Sequence, residues 1–148
     1  MADGTIQELQ VDFAALAKAV NLTIEQAIRY TALRVHNGVI EKTPVDTGRA
    51  RGSWGLSLDS PGTYELPEGN YGPDGGAQRA RGEQQNLDQL NADDPQDVYI
   101  FNNLTYIEAL ENGHSQQAPL GFVAVTLAEV GAESQAQLDA IARENLEK

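Results

Sequence analysis

The sequence predicts an α+β fold in a single domain spanning 1–148, and three observations predict it. Apolar residues recur at helical spacing over 24–39 and again over 123–141. They alternate at period two around Trp54, Leu56 and Leu58, the pattern of a half-buried strand. Between these regions, 59–97 is dense in Gly and Pro and poor in large apolar residues.

The first helical region spans 11–42. Asp12 can cap a short first segment over 13–20, and Asn21 reads as its stop. Thr23 followed by Gln26 has capping-box spacing: the hydroxyl and the amide can each satisfy an exposed backbone N–H. Ile24, Ala27, Ile28, Ala32, Val35 and Val39 then share one face, with Glu25, Arg29 and Glu41 mostly off it. Pro44 ends the helix, because the residue before a proline is pushed out of the α region.

Residues 49–58 change period to that of a strand, and the glycines at 48, 52 and 55 suggest a bulge or a close backbone approach. In 59–97 the turn signals crowd together: Pro61-Gly62, Pro67, Gly69, Gly72-Pro73, Asp74-Gly75-Gly76 and Asp94-Pro95. The expectation is a long loop or arm, with room for a hairpin near 63–66, that orders against a neighbouring subunit. Removing 62–94 is then expected to leave a folded monomer that no longer assembles. A short strand follows over 98–101 and a short helix over 104–110, which Gly113 can end. Pro119 suits the first turn of a last helix. That helix carries Val123, Leu127, Val130, Leu138 and Ile141 on one stripe, Ser134 fills the gap, and Gly131 weakens the middle by about 1 kcal/mol.

Composition narrows the function. The 148 residues suffice to bury a core, and 41% hydrophobic content lies outside the disordered range. With no cysteine, disulfides and thiolate zinc sites are excluded, which fits a reducing cytoplasm. Residues 1–4 lack the basic and apolar regions of a secretory signal, and no apolar run approaches the roughly 20 residues of a membrane span, so a soluble protein is expected. A formal charge of −12 and a pI near 4.4 argue against a net basic nucleic-acid binder. An acidic surface has a use beside DNA, which it repels and does not grip.

The motifs offer little catalytic chemistry. Lys42-Thr43-Pro44-Val45-Asp46-Thr47-Gly48-Arg49 reads as a helix-to-strand turn: Pro44 fixes φ, Asp46 or Thr47 bonds back to the backbone, and Gly48 supplies a positive φ. The alternative, a phosphate cradle clamped by Arg49 and Arg51, lacks a Gly-rich loop opening a helix. His36 is expected at a helix surface or partly buried. His114 beside Ser115 lacks the oriented base and the nucleophile elbow that a hydrolase requires. Asp93, Asp94 and Asp97, like Glu108 and Glu111, lack calcium-loop spacing and read as surface or interface charges. Arg79 and Arg81 in the polar stretch are either inter-subunit contacts or a solvated linker. No catalytic residue, metal site or cofactor is expected. Trp54, Arg79, Arg81, Val98, Glu111 and Pro119 are the candidate interface residues, with the strand edges near Trp54 and Val98 open to pairing across subunits.

Two motifs carry a resemblance. The turn above runs on through Gly52-Ser53-Trp54, and Tyr106-Ile107-Glu108-Ala109-Leu110-Glu111-Asn112-Gly113 is followed by Gln117-Ala118-Pro119. In this order they resemble the tail-completion or neck proteins of lambda-like siphophages, related to minor tail protein Z and the gene-product-ten type. The resemblance covers most of 23–130, and the chain departs from it in the Gly/Pro-rich 59–97. It implies a small α+β subunit with N- and C-terminal helices packed on a small antiparallel sheet. It further implies a virion protein made in the host bacterial cytoplasm. Such subunits form a ring, expected here as a hexamer, that completes or terminates the tail tube and meets the capsid connector. Its partners would be copies of itself, the tail tube protein and neck proteins, with DNA passing unbound through the lumen. A hexamer would carry six times the −12 of one chain. A head-closure, stopper or adaptor position in the neck is the nearest alternative. An acidic monomeric binding module and an enzyme are the readings from other classes.

Overall fold

The computed structural model describes residues 6–91, 96–112 and 121–146. The fold is α+β: α1 (Phe13–Ala19), α2 (Ile24–Lys42), α3 (Arg49–Gly52), β1 (Trp54–Leu58), α4 (Ala77–Gly82), a 3₁₀ helix (Glu83–Gln89), β2 (Val98–Asn102), α5 (Ile107–Glu111) and α6 (Val123–Leu146). The strands β1 and β2 pair antiparallel, with Leu56 opposite Ile100. The helix α2 runs against this sheet, and α1 and α6 pack against α2 and each other.

The helix starts follow the sequence signals. Asp12 Oδ1 accepts from the Ala15 amide at 3.0 Å, and Asn21, at φ 58, turns the chain out of α1. Thr23 and Gln26 form the reciprocal capping box, at 3.1 and 3.0 Å. The buried face of α2 is wider than the periodicity suggests. Besides Ala27, Ala32, Val35 and Val39 it hides Thr31, His36 and Ile40, because α1, the sheet and α6 enclose it from several sides. Ile24, placed on that face by spacing, is 45% exposed at the helix start.

Two expectations are corrected. The strand predicted over 49–58 begins only at Trp54, since Gly48 at φ 85 opens the short helix α3 instead. The described part of 59–97, residues 59–91 and 96–97, is not a loop or arm that needs a neighbouring subunit to order it. Ala77–Gly82 and Glu83–Gln89 are helical, and Leu66, Ala77, Ala80, Leu87 and Leu90 are buried. Small alanines let α4 approach α2 closely, so few large apolar residues were needed, and their scarcity misled the periodicity argument. With these side chains in the core, a folded product without 62–94 is no longer expected.

The central core joins Val39, Ile40, Trp54, Ala77, Ala80 and Phe122. Trp54 and Phe122 meet edge to face at 5.9 Å between centroids. Leu56 and Leu87 extend the core with Ala32, and Leu16, Ala17 and Ala27 form a further cluster at the α1–α2 corner. Towards its C-terminus, α6 contributes half-buried Leu138 to that corner. No helix among the described residues is long and apolar enough to cross a membrane.

Candidate functional site

The two motifs that stood out in the sequence form one joint. Trp54 is 4% exposed, and its indole Nε1–H donates to the buried Thr43 Oγ1 at 2.7 Å. Thr43 in turn donates to the Val39 carbonyl, so the hydroxyl both closes α2 and seats the indole. The ring of Trp54 reaches Phe122 at the entrance of α6. That entrance is held by Glu111 from the second motif. Its Oε1 accepts from the amides of Phe122 and Val123 at 2.6 and 2.9 Å, and its Oε2 from Ala124 at 2.9 Å and from Gln7 Nε2 at 3.1 Å. Burial pushes the Glu111 pKa up, but these donors outweigh it and hold the carboxyl below its ordinary value.

The arginines of the first motif are committed within the chain. Arg49 Nε donates to the Leu66 carbonyl at 2.8 Å, and its Nη2 lies 3.6 Å from Glu65. Arg51 donates from Nε and Nη2 to the Thr43 carbonyl at 3.3 and 3.1 Å, and from Nη2 to Glu41 O at 3.0 Å. A cation on the last carbonyls of α2 satisfies orphan acceptors and complements the helix dipole. These contacts oppose a phosphate cradle, which needs the same guanidinium donors free. Thr47 Oγ1 accepts from the Arg49 amide at 3.4 Å and the Thr47 carbonyl from Tyr71 N at 2.8 Å. Gly48 is required twice over: its φ is 85, and a Cβ would stand 2.5 Å from the Gly75 Cα.

The candidate interface residues mostly have roles inside the subunit. Trp54 is a core residue, which corrects its placement among the interface candidates. The carbonyls of Trp54 and Leu56, on one edge of β1, accept from His36 Nε2 at 3.2 Å and Asn86 Nδ2 at 2.6 Å, so that edge is closed by side chains and not open to a neighbouring strand. Val98 is half-buried on the Leu56–Leu87 cluster. The Glu111 carboxylate is spent on α6, a correction to its reading as a surface or interface charge. Exposed Arg79 lies 5.4 Å over the Tyr71 ring, and exposed Arg81 reaches Asn37 Oδ1 at 3.3 Å and Glu41 Oε1 at 3.2 Å. Pro119, Gly113, His114, Ser115, Asp93 and Asp94 lie outside the described residues.

His36 is fully buried, against the expectation of a surface or partly buried place, because the sheet and the 3₁₀ helix close over its face of α2. Burial drives its pKa down to about 4, with the Arg81 charge adding to the fall and the Trp54 carbonyl opposing it. No signal in the sequence marked this position.

A groove of about 380 Å³ opens elsewhere, between α1, α2 and α6. Leu16, Val20, Leu22, Tyr30 and Val130 line it, and the Arg34–Glu133 ion pair stands on its rim. Leu22 and Tyr30 are 38% and 56% exposed, an apolar corner on an otherwise acidic chain. Among the described residues no three His, Asp or Glu side chains converge as metal ligands. Compared with known proteins, the chain matches no family model, no curated protein and no solved structure.

Proposed function

We propose that this protein is a structural subunit of the head–tail junction of a long-tailed bacteriophage. It forms a ring that completes the tail tube, joins it to the capsid connector and lets DNA pass. The observation that carries the reading is the convergence of the two resemblance-bearing motifs on one joint, where Thr43, Trp54, Phe122 and Glu111 bind each other. Their polar groups are consumed in holding the subunit's shape, which suits a building block better than an enzyme. The net charge of −12 supports a lumen that does not retain DNA. The exposed corner of Leu22 and Tyr30 is apolar surface of the kind that marks association.

Light scattering across a concentration series, with negative-stain images of any large species, tests the reading. The expected result is a closed ring, or a monomer that becomes a ring on the ends of purified tail tubes. A protein that stays monomeric at every concentration and neither caps nor shortens growing tubes overturns it.

A further inference from the structure

A line of side-chain hydrogen bonds links the exposed surface to the buried imidazole of His36. Arg81 Nε donates to Asn37 Oδ1 at 3.3 Å. Gln84 Nε2 donates to the same oxygen at 2.7 Å and faces His36 Nδ1 at 3.1 Å. His36 Nε2 faces the Trp54 carbonyl at 3.2 Å. The polarity of this line is fixed from its outer end. A guanidinium only donates, so Asn37 must present its oxygen to Arg81. Gln84 must therefore turn its NH₂ to Asn37 Oδ1, and the second hydrogen of that NH₂ points at His36 Nδ1. Nδ1 is then an acceptor and Nε2 carries the proton, which it donates to the Trp54 carbonyl, itself an obligate acceptor.

A protonated His36 has no place in this line. Its Nδ1–H would meet the Gln84 NH₂, donor against donor. Gln84 cannot rotate its carbonyl inward without setting it against Asn37 Oδ1. Asn37 cannot rotate without turning its NH₂ to Arg81. The extra charge would also sit fully buried. The charged group facing it is Arg81, whose sign is the same, and Arg81 is paired on its outer side with Glu41. Glu83, in the same segment, bonds Asn86.

We propose that His36 is a proton-sensitive latch which holds the segment 77–89 on α2 and β1, and that acid opens this segment before the rest of the fold. The segment is attached where the latch acts. Gln84 lies in it, Asn86 bonds the Leu56 carbonyl, and Leu87 is buried against Ala32 and Leu56. Opening would take Gln84 away from Nδ1 and let it meet water, while Nε2 keeps its bond to the Trp54 carbonyl, an arrangement that accepts the proton.

The test combines ring NMR of His36 with hydrogen exchange by segment, from neutral to about pH 3. His114→Gln removes the signal of the other histidine. The expected result has three parts. At neutral pH the His36 ring is the Nε2–H tautomer, its titration midpoint lies near 4, and protection of 77–89 is lost in the same step while α2 stays protected. Gln84→Glu gives up the bond to Asn37 Oδ1 but supplies a charged acceptor for Nδ1–H, so the midpoint rises towards or above the ordinary 6.5 and the segment stays closed when the ring is charged. His36→Gln retains a donor for Trp54 but does not titrate, and its segment is expected to stay closed through the wild-type step. A wild-type His36 that titrates near 6.5 with 77–89 still protected overturns the proposal. So does loss of 77–89 at an unchanged pH in His36→Gln, which would assign the opening to a carboxylate such as Glu83. If His36→Gln does not fold, an unchanged opening pH in Gln84→Glu overturns it equally.

Discussion

From α1 to α2 the chain is organised by near neighbours in sequence, whereas 59–91 is organised by distant ones. Asp12 caps at a spacing of three residues, as does the Thr23–Gln26 pair. In the second region Ser53 Oγ accepts from the Leu66 amide thirteen residues away, at 3.1 Å. Asn86 crosses 30 residues to Leu56 O, and Asn103 crosses 41 to Gly62 O. Polar composition therefore did not make 59–91 a free arm. Its polar groups find backbone partners elsewhere in the fold, and among the described residues no buried side-chain nitrogen or oxygen is left unmatched. A Gly- and Pro-rich stretch can be ordered when its partners offset the entropy of fixing it.

The sharpest way to break this comparison is Leu87→Ala. A side chain on a solvated arm would change stability by less than about 0.5 kcal/mol. Leu87 is 2% exposed, so the expected loss is about 2–5 kcal/mol in urea unfolding followed by far-UV circular dichroism. A change near zero would restore the arm. The next effect belongs to the contact between the two regions. Gly48→Ala combines a left-handed backbone with a Cβ placed 2.5 Å from Gly75 Cα, and neither is the movable end of a side chain. The expected loss is about 2 kcal/mol or more, read in the same assay. A neutral result would mean that the 42–49 turn and 75–76 do not touch.

How much of this was legible follows from the same contrast. The caps at Asp12 and Thr23, the stop at Asn21, the Pro44 boundary and the positive φ of Gly48 were readable because each depends on residues within a few positions. The strand β1 was readable from alternation, save that α3 replaced its start, and β2 from its β-branched and aromatic content. Trp54, Glu111 and Arg51 were visible as residues but not as roles. Nothing local says that an indole will find Thr43, that a carboxylate will find the amides of 122–124, or that a guanidinium will find the end of α2. The buried place of His36 was hidden for the same reason, since its partners Trp54 and Gln84 lie 18 and 48 residues away.

Paired substitutions sharpen the point. Ser53→Ala leaves the Leu66 amide without its partner in a buried position, with an expected cost of about 1–3 kcal/mol. Thr23→Ala removes a cap at an exposed helix start and should cost about 1 kcal/mol. The distant bond should thus outweigh the local one in matched denaturation curves, and the reverse order would make the local signals the dominant ones.

Glu111 joins both patterns, being a helix cap supplied from a different helix. Its folded pKa lies below the ordinary value, so the unfolded state binds more protons over the window between the two. The stabilisation is therefore fully present above the unfolded pKa of about 4.5, and it is lost as pH falls through the depressed folded value. Glu111→Gln keeps the shape but removes the charge and one acceptor oxygen facing the amides of 122–124. At neutral pH the variant should be less stable by about 0.5–1 kcal/mol, the size of an exposed cap and dipole effect. The two stability curves should converge on acidification, because a protonated Glu111 is little better an acceptor than the amide that replaces it. A gap that persists unchanged to the lowest pH at which both fold would show that the carboxylate charge does not hold α6, and that Glu111 acts by packing alone.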